Sequence, residues 1–321
     1  MSTATPSAEE IRKILGPYSI ASVRNWLKRC ELPRTANSRD DLVQRVHSLI
    51  EKKSLTLEGL IAAMIGIEEA SSKRTFLFQI PCSEGDIAKT DKQLSDLKVP
   101  LSSQRVPARN PTAKPTMAYA INGEGELRIK WTELQKRVQA IRKTRSWTEL
   151  NVPKIIVLVW NKTTGVVQLR CDHPEDEHQH VINGESTSEA YYSHYVQKSE
   201  NLLGHSLQPM ELRASLAKIL KAEPRIVRTA HAVDESDDGG YTKRSHKHKH
   251  KDVRDLADWQ NMMKSRTVRT FEEAPLKWIP EMTGGKLQRE VGSYIDAANS
   301  LVRFDADCYE EEIEYVLSHL V

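Results

Sequence analysis

SIASVRNWLKRCELPRTANSRDDLVQRVHSLIEKK, residues 19–53, contains two short amphipathic helices joined by a turn and defines the fold of the N-terminal part of the chain. Ser19 and Ser38 are good N-caps, because a serine hydroxyl accepts a hydrogen bond from a free amide of the first turn. Asp41, three residues after Ser38, completes a variant of the capping box, and Pro33 ends the first helix. The apolar residues recur with helical spacing, at Ile20, Val23 and Leu27 in the first helix and at Leu42, Val43, Val46, Leu49 and Ile50 in the second.

Two further helices flank this pair. Residues 9–15 predict a helix before it, and residues 56–70 predict a helix after it. The apolar positions of the latter can cover the exposed stripes of the first two helices. The chain therefore begins with a small helical bundle.

The charge of residues 19–53 exceeds that of the whole chain. Eight cations against four acids give this segment +4, whereas the full chain carries +3. Because the apolar faces must be buried, we expect the cations to lie outside and to contact the phosphates of duplex DNA. The alternative is that they only solvate the bundle. The predicted contacts are Arg24, Lys28, Arg29, Arg34, Arg39, Arg45, Lys52 and Lys53.

Part of this segment resembles the SAP-type helix–loop–helix of DNA-associated proteins. In that family a leucine-bearing helix and a short loop precede a helix of the pattern K-x-x-L-v-x-R-L. Here RDDLVQRV places Arg39, Leu42, Arg45 and Val46 at the matching positions. The resemblance covers residues 19–53 and implies contact with DNA.

A second resemblance covers most of the chain. The order of SIASVRNWLKRCEL, RDDLVQRVHSLIEKKSLTLEGLIAAM, FLFQI, ELRIKW, KIIVLVWN and SLVRFDADCYEEEIEYVLSHL is similar to that in the centromere protein N family. That resemblance implies a pyrin-like helical domain followed by strands. It also implies a non-catalytic adaptor that contacts DNA or nucleosomes and pairs with a protein partner. Arg12 and Lys13 lie on the corresponding first helix.

The middle of the chain predicts strands. MAYAINGEGELRIKW, residues 117–131, is a hairpin around a Gly-rich turn, and KIIVLVW with VVQLR forms a second, more apolar hairpin. Alternation puts Arg128 and Lys130 on one face of their strand. We expect both to extend the basic surface of the bundle, together with cations of residues 132–148, which predict a helix.

Strands outnumber helices in the remainder, which gives an α+β fold: a SAP/pyrin-like helical bundle followed by a mostly antiparallel sheet body with flanking helices. We predict a helical domain at 1–80, a Pro-rich connector at 81–116 and an α+β body at 117–321. Within the body, residues 234–252 are rich in His and Lys and predict a flexible loop.

CDHPEDEHQH brings four potential zinc ligands within ten residues: Cys171, His173, His178 and His180. The spacing matches no known finger, and the alternative is an exposed acidic loop rich in histidine. No cofactor is otherwise expected.

The four cysteines form no CxxC pair, and neither a signal peptide nor a membrane span is evident. We therefore expect a soluble intracellular protein of the cytoplasm or nucleoid, or of the nucleus in a eukaryote. The sequence contains no P-loop, GxGxxG, HExxH or GxSxG motif. It favours a non-catalytic DNA-binding adaptor with a protein partner or a second copy of itself. A metal-dependent nuclease or hydrolase and a pure interaction scaffold remain as alternatives.

Overall fold

The computed structural model describes residues 5–108, 111–141, 146–173, 187–235, 241–246, 251–264, 270–305 and 307–321. Its α-helices are α1 (Ala8–Leu15), α2 (Ile20–Arg29), α3 (Arg39–Glu51), α4 (Leu57–Ala70), α5 (Glu84–Asp96), α6 (Thr187–Leu203), α7 (Arg213–Lys221), α8 (Ala257–Lys264) and α9 (Glu310–Leu317). Its strands are β1 (Arg74–Gln79), β2 (Thr116–Asn122), β3 (Glu126–Ile141), β4 (Ser146–Asn161), β5 (Val166–Cys171), β6 (Gln208–Pro209), β7 (Val227–Arg228), β8 (His231–Glu235), β9 (Tyr241–Ser245), β10 (Phe271–Trp278), β11 (Val291–Asp296) and β12 (Leu301–Phe304).

The prediction of an α+β fold is confirmed. The twelve described strands form one sheet, in the order β2-β3-β4-β5-β1-β12-β11-β10-β8-β9, with β6 paired to β1 and β7 to β10. Neighbouring strands pair in the antiparallel sense, for example β4 with β5 and β1 with β12. β1 follows α4, the last helix of the bundle, and it lies in the middle of the sheet. The chain therefore enters the sheet at its centre.

Helices α1 to α4 form the predicted N-terminal bundle. Ser19 accepts a hydrogen bond from the amide of Ser22, and Ser38 and Asp41 form a capping box, as the sequence predicts. The apolar stripes of the helices meet in one core that includes Leu27, Val46 and Met64. Burial of these stripes, rather than helix propensity alone, stabilises helices this short.

The sheet is covered on different faces in its two halves. In the first half, alternate residues such as Ile129, Leu158 and Leu169 form a core with α5 and α6, while the other face of the sheet meets the bundle. In the second half, residues such as Val302 and Leu276 form a separate core with α7 and α9. The α5/α6 core and the α7/α9 core lie on opposite faces, because β1 contributes Phe78 to one and Leu77 to the other.

Three local predictions are wrong. Residues 132–141 and 146–148 of the predicted helix are strand instead, because β3 and β4 pair in register from Glu126↔Asn161 to Ile141↔Ser146; the remainder of that prediction lies outside the described residues. Cross-strand pairing with the apolar β4 overrides the helical preference of this segment. The segment predicted as a Pro-rich connector, 81–116, contains the helix α5, and the predicted loop at 234–252 contains strand β9.

No helix in the described ranges has the length and hydrophobicity to span a bilayer.

Candidate nucleic-acid interface

The exposed face of α2 carries two cations one turn apart. Val23, Trp26 and Leu27 point into the bundle core, so Arg24 and Lys28 lie on the opposite, exposed side. Residues four apart on a helix are stacked on the same face. The two side chains therefore form one short row of positive charge.

More cations than acids are free on the bundle surface. Within residues 5–70, seven exposed cations have no hydrogen bond or ion pair through the side chain: Lys13, Arg24, Lys28, Arg34, Arg45, Lys52 and Lys53. Most exposed acids of the bundle are already engaged. Glu10 and Asp41 are in capping boxes, Asp40 lies 2.6 Å from Arg12, and Glu51 lies 3.4 Å from His47.

Only Glu31 and Glu58 remain exposed without a partner among the acids of these residues. Exposed cations without a partner therefore outnumber exposed acids without one on the bundle surface, while Glu10 and Asp41 keep their negative charge in the capping boxes. Clustered cations of this kind are the residues that neutralise phosphates in complexes with nucleic acids.

The side chains of two of the predicted contact residues are engaged within the protein. Arg39 donates hydrogen bonds to the carbonyl oxygens of Leu15, at 2.9 Å, and of Tyr18. Its guanidinium thus satisfies carbonyl groups where α1 ends. Arg29 lies 3.2 Å from Glu311 and stacks 4.3 Å from the ring centre of Tyr309, so it joins the bundle to the segment that leads into α9.

The prediction that Arg128 and Lys130 extend an exposed basic surface is wrong. The side chain of Lys130 is fully buried and that of Arg128 nearly so. Lys130 donates a hydrogen bond to Glu68 and lies 3.5 Å from Glu69. The alternation of β3 is as predicted, but both faces of the strand are covered, so neither face is exposed to solvent.

These residues belong to a buried ionic network between the bundle and the sheet. Arg128 lies 3.2 Å from Glu69 of α4 and 2.8 Å from Glu310 of α9. The same Glu310 lies 2.8 Å from Arg170 of β5. Glu68 also accepts hydrogen bonds from the hydroxyl of Tyr18 and, at 3.0 Å, from the amide of Ala108.

Burial on its own would raise the pKa of Glu310. The guanidinium groups of Arg170 and Arg128 outweigh this effect and lower the pKa to about 2, so the carboxylate is charged at neutral pH. Breaking such a buried pair leaves an uncompensated charge and is strongly destabilising. The network therefore fixes how the bundle sits on the sheet.

Sequence reasoning missed the carboxylates of this network. The available signal is the pair Glu68 and Glu69 at the end of α4, where the helical pattern of apolar residues continues up to Ala70. Acids within such a pattern are buried only when they are paired.

A cleft of about 900 Å³ lies beside the network, between the bundle and the sheet. Ile14, Met64, Leu134 and Pro153 are among its apolar lining residues. At its base Lys73 is buried and paired with Asp172. The charged groups at the base already hold one another, so the cleft presents mainly apolar surface.

The candidate zinc ligands are only partly within the described residues. Cys171 lies in the core under α6, where burial raises the pKa of its thiol and opposes the thiolate that zinc needs. Nε2 of His173 lies 2.6 Å from a guanidinium nitrogen of Arg74. His178 and His180 lie outside the described residues. In the ranges that are described, no group of three His, Cys, Asp or Glu side chains is arranged to hold a metal.

Comparison of the chain with models of known protein families and with curated proteins gives no match.

Proposed function

We propose that this protein is a non-catalytic adaptor that binds duplex DNA through its helical bundle and a partner protein through its α+β body. The observation that carries the DNA half is the set of free cations on the bundle, which has few free acids beside it. The SAP-like pattern, and the similarity to the centromere protein N family with the chromosomal role it implies, favour the same function.

The chemistry of this surface favours backbone contact over sequence reading. Arginine and lysine side chains on a small helical surface neutralise phosphates, and that contact is largely independent of base sequence. Arg34, in the turn before α3, and Arg45, on the outer side of α3, would add to the row on α2. We expect affinity to fall steeply with salt and to differ little between unrelated duplexes.

Charge reversal of Arg24 and Lys28 tests the DNA half directly. Binding of a labelled duplex is measured by fluorescence anisotropy at several salt concentrations. Loss of two phosphate contacts should weaken binding at least about tenfold and reduce the salt slope by about 2. Both side chains are exposed and free, so the fold should be unaffected.

A matched variant reverses Lys218 and Lys221, which are exposed on α7 and make no ion pair within the described residues. It changes the net charge by the same amount, yet it should leave DNA binding nearly unchanged. Equal losses in the two variants would show that the bundle is not the binding surface. No binding by the wild type at low salt would refute DNA binding altogether.

A further inference from the structure

The second half of the sheet has a face on which the residues of β10 to β12 belong to none of the hydrophobic cores of the described residues, and α6 reaches only its edge, where Tyr192 lies near Arg74 of β1. In this half, Val302, Ile295 and Leu276 point into the core formed with α7 and α9. Their neighbours in sequence point to the opposite face. Leu301, Tyr294 and Pro275 on that face belong to none of the hydrophobic cores of the described residues, and each is only partly buried.

One line of residues crosses this face from strand to strand. Arg74 of β1 is paired with Arg303 of β12, Arg303 with Tyr294 of β11, and Tyr294 with Pro275 of β10. We call these four residues the arginine row. At the usual spacing between strands the row is about 14 Å long.

The two arginines of the row face each other without a counter-charge. Like charges directly opposite each other destabilise an antiparallel pair. Among the described residues, neither guanidinium has a carboxylate within ion-pair distance. One terminal nitrogen of Arg74 lies 2.6 Å from Nε2 of His173, and its Nε is buried without a hydrogen-bond partner among the described residues. The other terminal nitrogen of Arg74 and the guanidinium of Arg303 therefore retain capacity to bind an anion.

Aromatic rings support both guanidinium groups. The guanidinium carbon of Arg303 lies 4.2 Å from the ring centre of Tyr294, and that of Arg74 lies 5.6 Å from the ring centre of Tyr192. Stacking holds the plane of a guanidinium and leaves its N–H edge free for bidentate contact with a carboxylate. Arginine and tyrosine together are also typical of protein interfaces.

The neighbouring residues distinguish between possible anions. Leu301 adjoins the row, while Asp296 and Glu273 lie in the next line across the sheet. These carboxylates would repel a continuous phosphate backbone that crossed the face. A peptide can place a single acidic side chain at the arginines and apolar side chains beside it.

We propose that the arginine row is the docking site for an acidic segment of a partner protein, with a carboxylate held between Arg74 and Arg303 and apolar side chains against Leu301, Tyr294 and Pro275. This inference rests on the adaptor half of the proposed function and does not depend on DNA contact by the bundle.

Arg303→Glu tests the docking site. The probe is a short labelled peptide in which glutamate and leucine alternate with glycine spacers, and its binding is measured by fluorescence anisotropy at moderate salt. Loss of a bidentate contact and the new repulsion should weaken peptide binding at least about tenfold. Binding of a labelled duplex should stay unchanged, because the bundle lies on another face.

Lys218→Glu is the matched control, since it changes the net charge equally at an exposed position of α7. It should alter peptide affinity less than about twofold. Arg74→Gln provides a second, uncharged variant, and thermal unfolding checks that each variant is folded. A peptide with glutamine in place of glutamate should bind the wild type weakly.

The proposal is overturned if the wild type does not bind the acidic peptide, if Arg303→Glu and Lys218→Glu weaken it equally, or if the glutamine peptide binds as well. It is also overturned if Arg303→Glu weakens duplex binding and leaves the peptide unaffected, which would identify DNA as the occupant. If only the proposed DNA binding is wrong, the wild type will not bind the duplex, or charge reversal of Arg24 and Lys28 will not weaken duplex binding, while peptide binding stays intact.

Discussion

Replacing Glu310 by glutamine removes one charge from the centre of the buried ionic network. The carboxylate lies 2.8 Å from both Arg128 and Arg170, and its pKa in the folded protein falls from an ordinary 4.5 to about 2. At 1.36 kcal/mol for each pH unit, this difference corresponds to roughly 3 kcal/mol of stability at neutral pH. Glutamine keeps the shape of the side chain but leaves the two arginines short of a counter-charge.

The sign of the pH dependence follows from the lowered pKa. A carboxyl group whose pKa is lower in the folded than in the unfolded state stabilises the fold above its unfolded value, and this stabilisation is lost as the pH falls towards about 2. The free energy of unfolding of the wild type should exceed that of Glu310→Gln by roughly 3 kcal/mol near pH 7 and by roughly half as much near pH 3.

Urea unfolding followed by tryptophan fluorescence at matched pH values measures this difference. Glu311→Gln on the same helix is the control. The side chain of Glu311 is 68% exposed, and its pair with Arg29 is at the surface, so we expect a change of less than about 0.5 kcal/mol. A difference for Glu310→Gln that does not vary with pH, or a control that costs as much, would refute the argument.

Two further substitutions test other parts of the structure. Lys130→Met removes the fully buried ammonium group that Glu68 and Glu69 share, and it should lower the free energy of unfolding by about 3–5 kcal/mol. Adding Glu68→Gln should recover part of that loss. If the effects of the two substitutions on urea unfolding are strictly additive, Lys130 and Glu68 do not interact. Gly165→Ala should destabilise the protein by roughly 1–3 kcal/mol, because φ is +75° there and an added Cβ would collide with the carbonyl oxygen of Ile80. If the midpoint of thermal unfolding is the same for this variant as for the wild type, the positive φ and the close contact at Gly165 are contradicted.

Local patterns were sufficient to predict the bundle and the hairpins β2–β3 and β4–β5. The caps at Ser19 and Ser38, the apolar stripes and the turn between β2 and β3 depend on residues within a few positions of each other. Such short-range chemistry is readable in a sequence.

These local patterns did not predict the long pairing of β3 with β4. Residues 132–141 have helix-forming side chains, and pairing with residues 146–155 of β4 makes them extended. The error at Arg128 and Lys130 has a related cause. Alternation predicts which residues share a face, but whether that face meets water depends on α4 and α9, which come from distant parts of the chain.

The two proposed surfaces lie on opposite faces of the sheet. Arg128 and Lys130 point to the face on which the bundle is docked. Arg74 is paired with Cys171, whose side chain lies in the core under α6, so the arginine row lies on the other face. Because the buried ionic network fixes the bundle on its face, a DNA duplex on α2 and a peptide on the arginine row would not compete for space. We therefore expect the two ligands to bind independently, so that saturation with one leaves the affinity for the other unchanged.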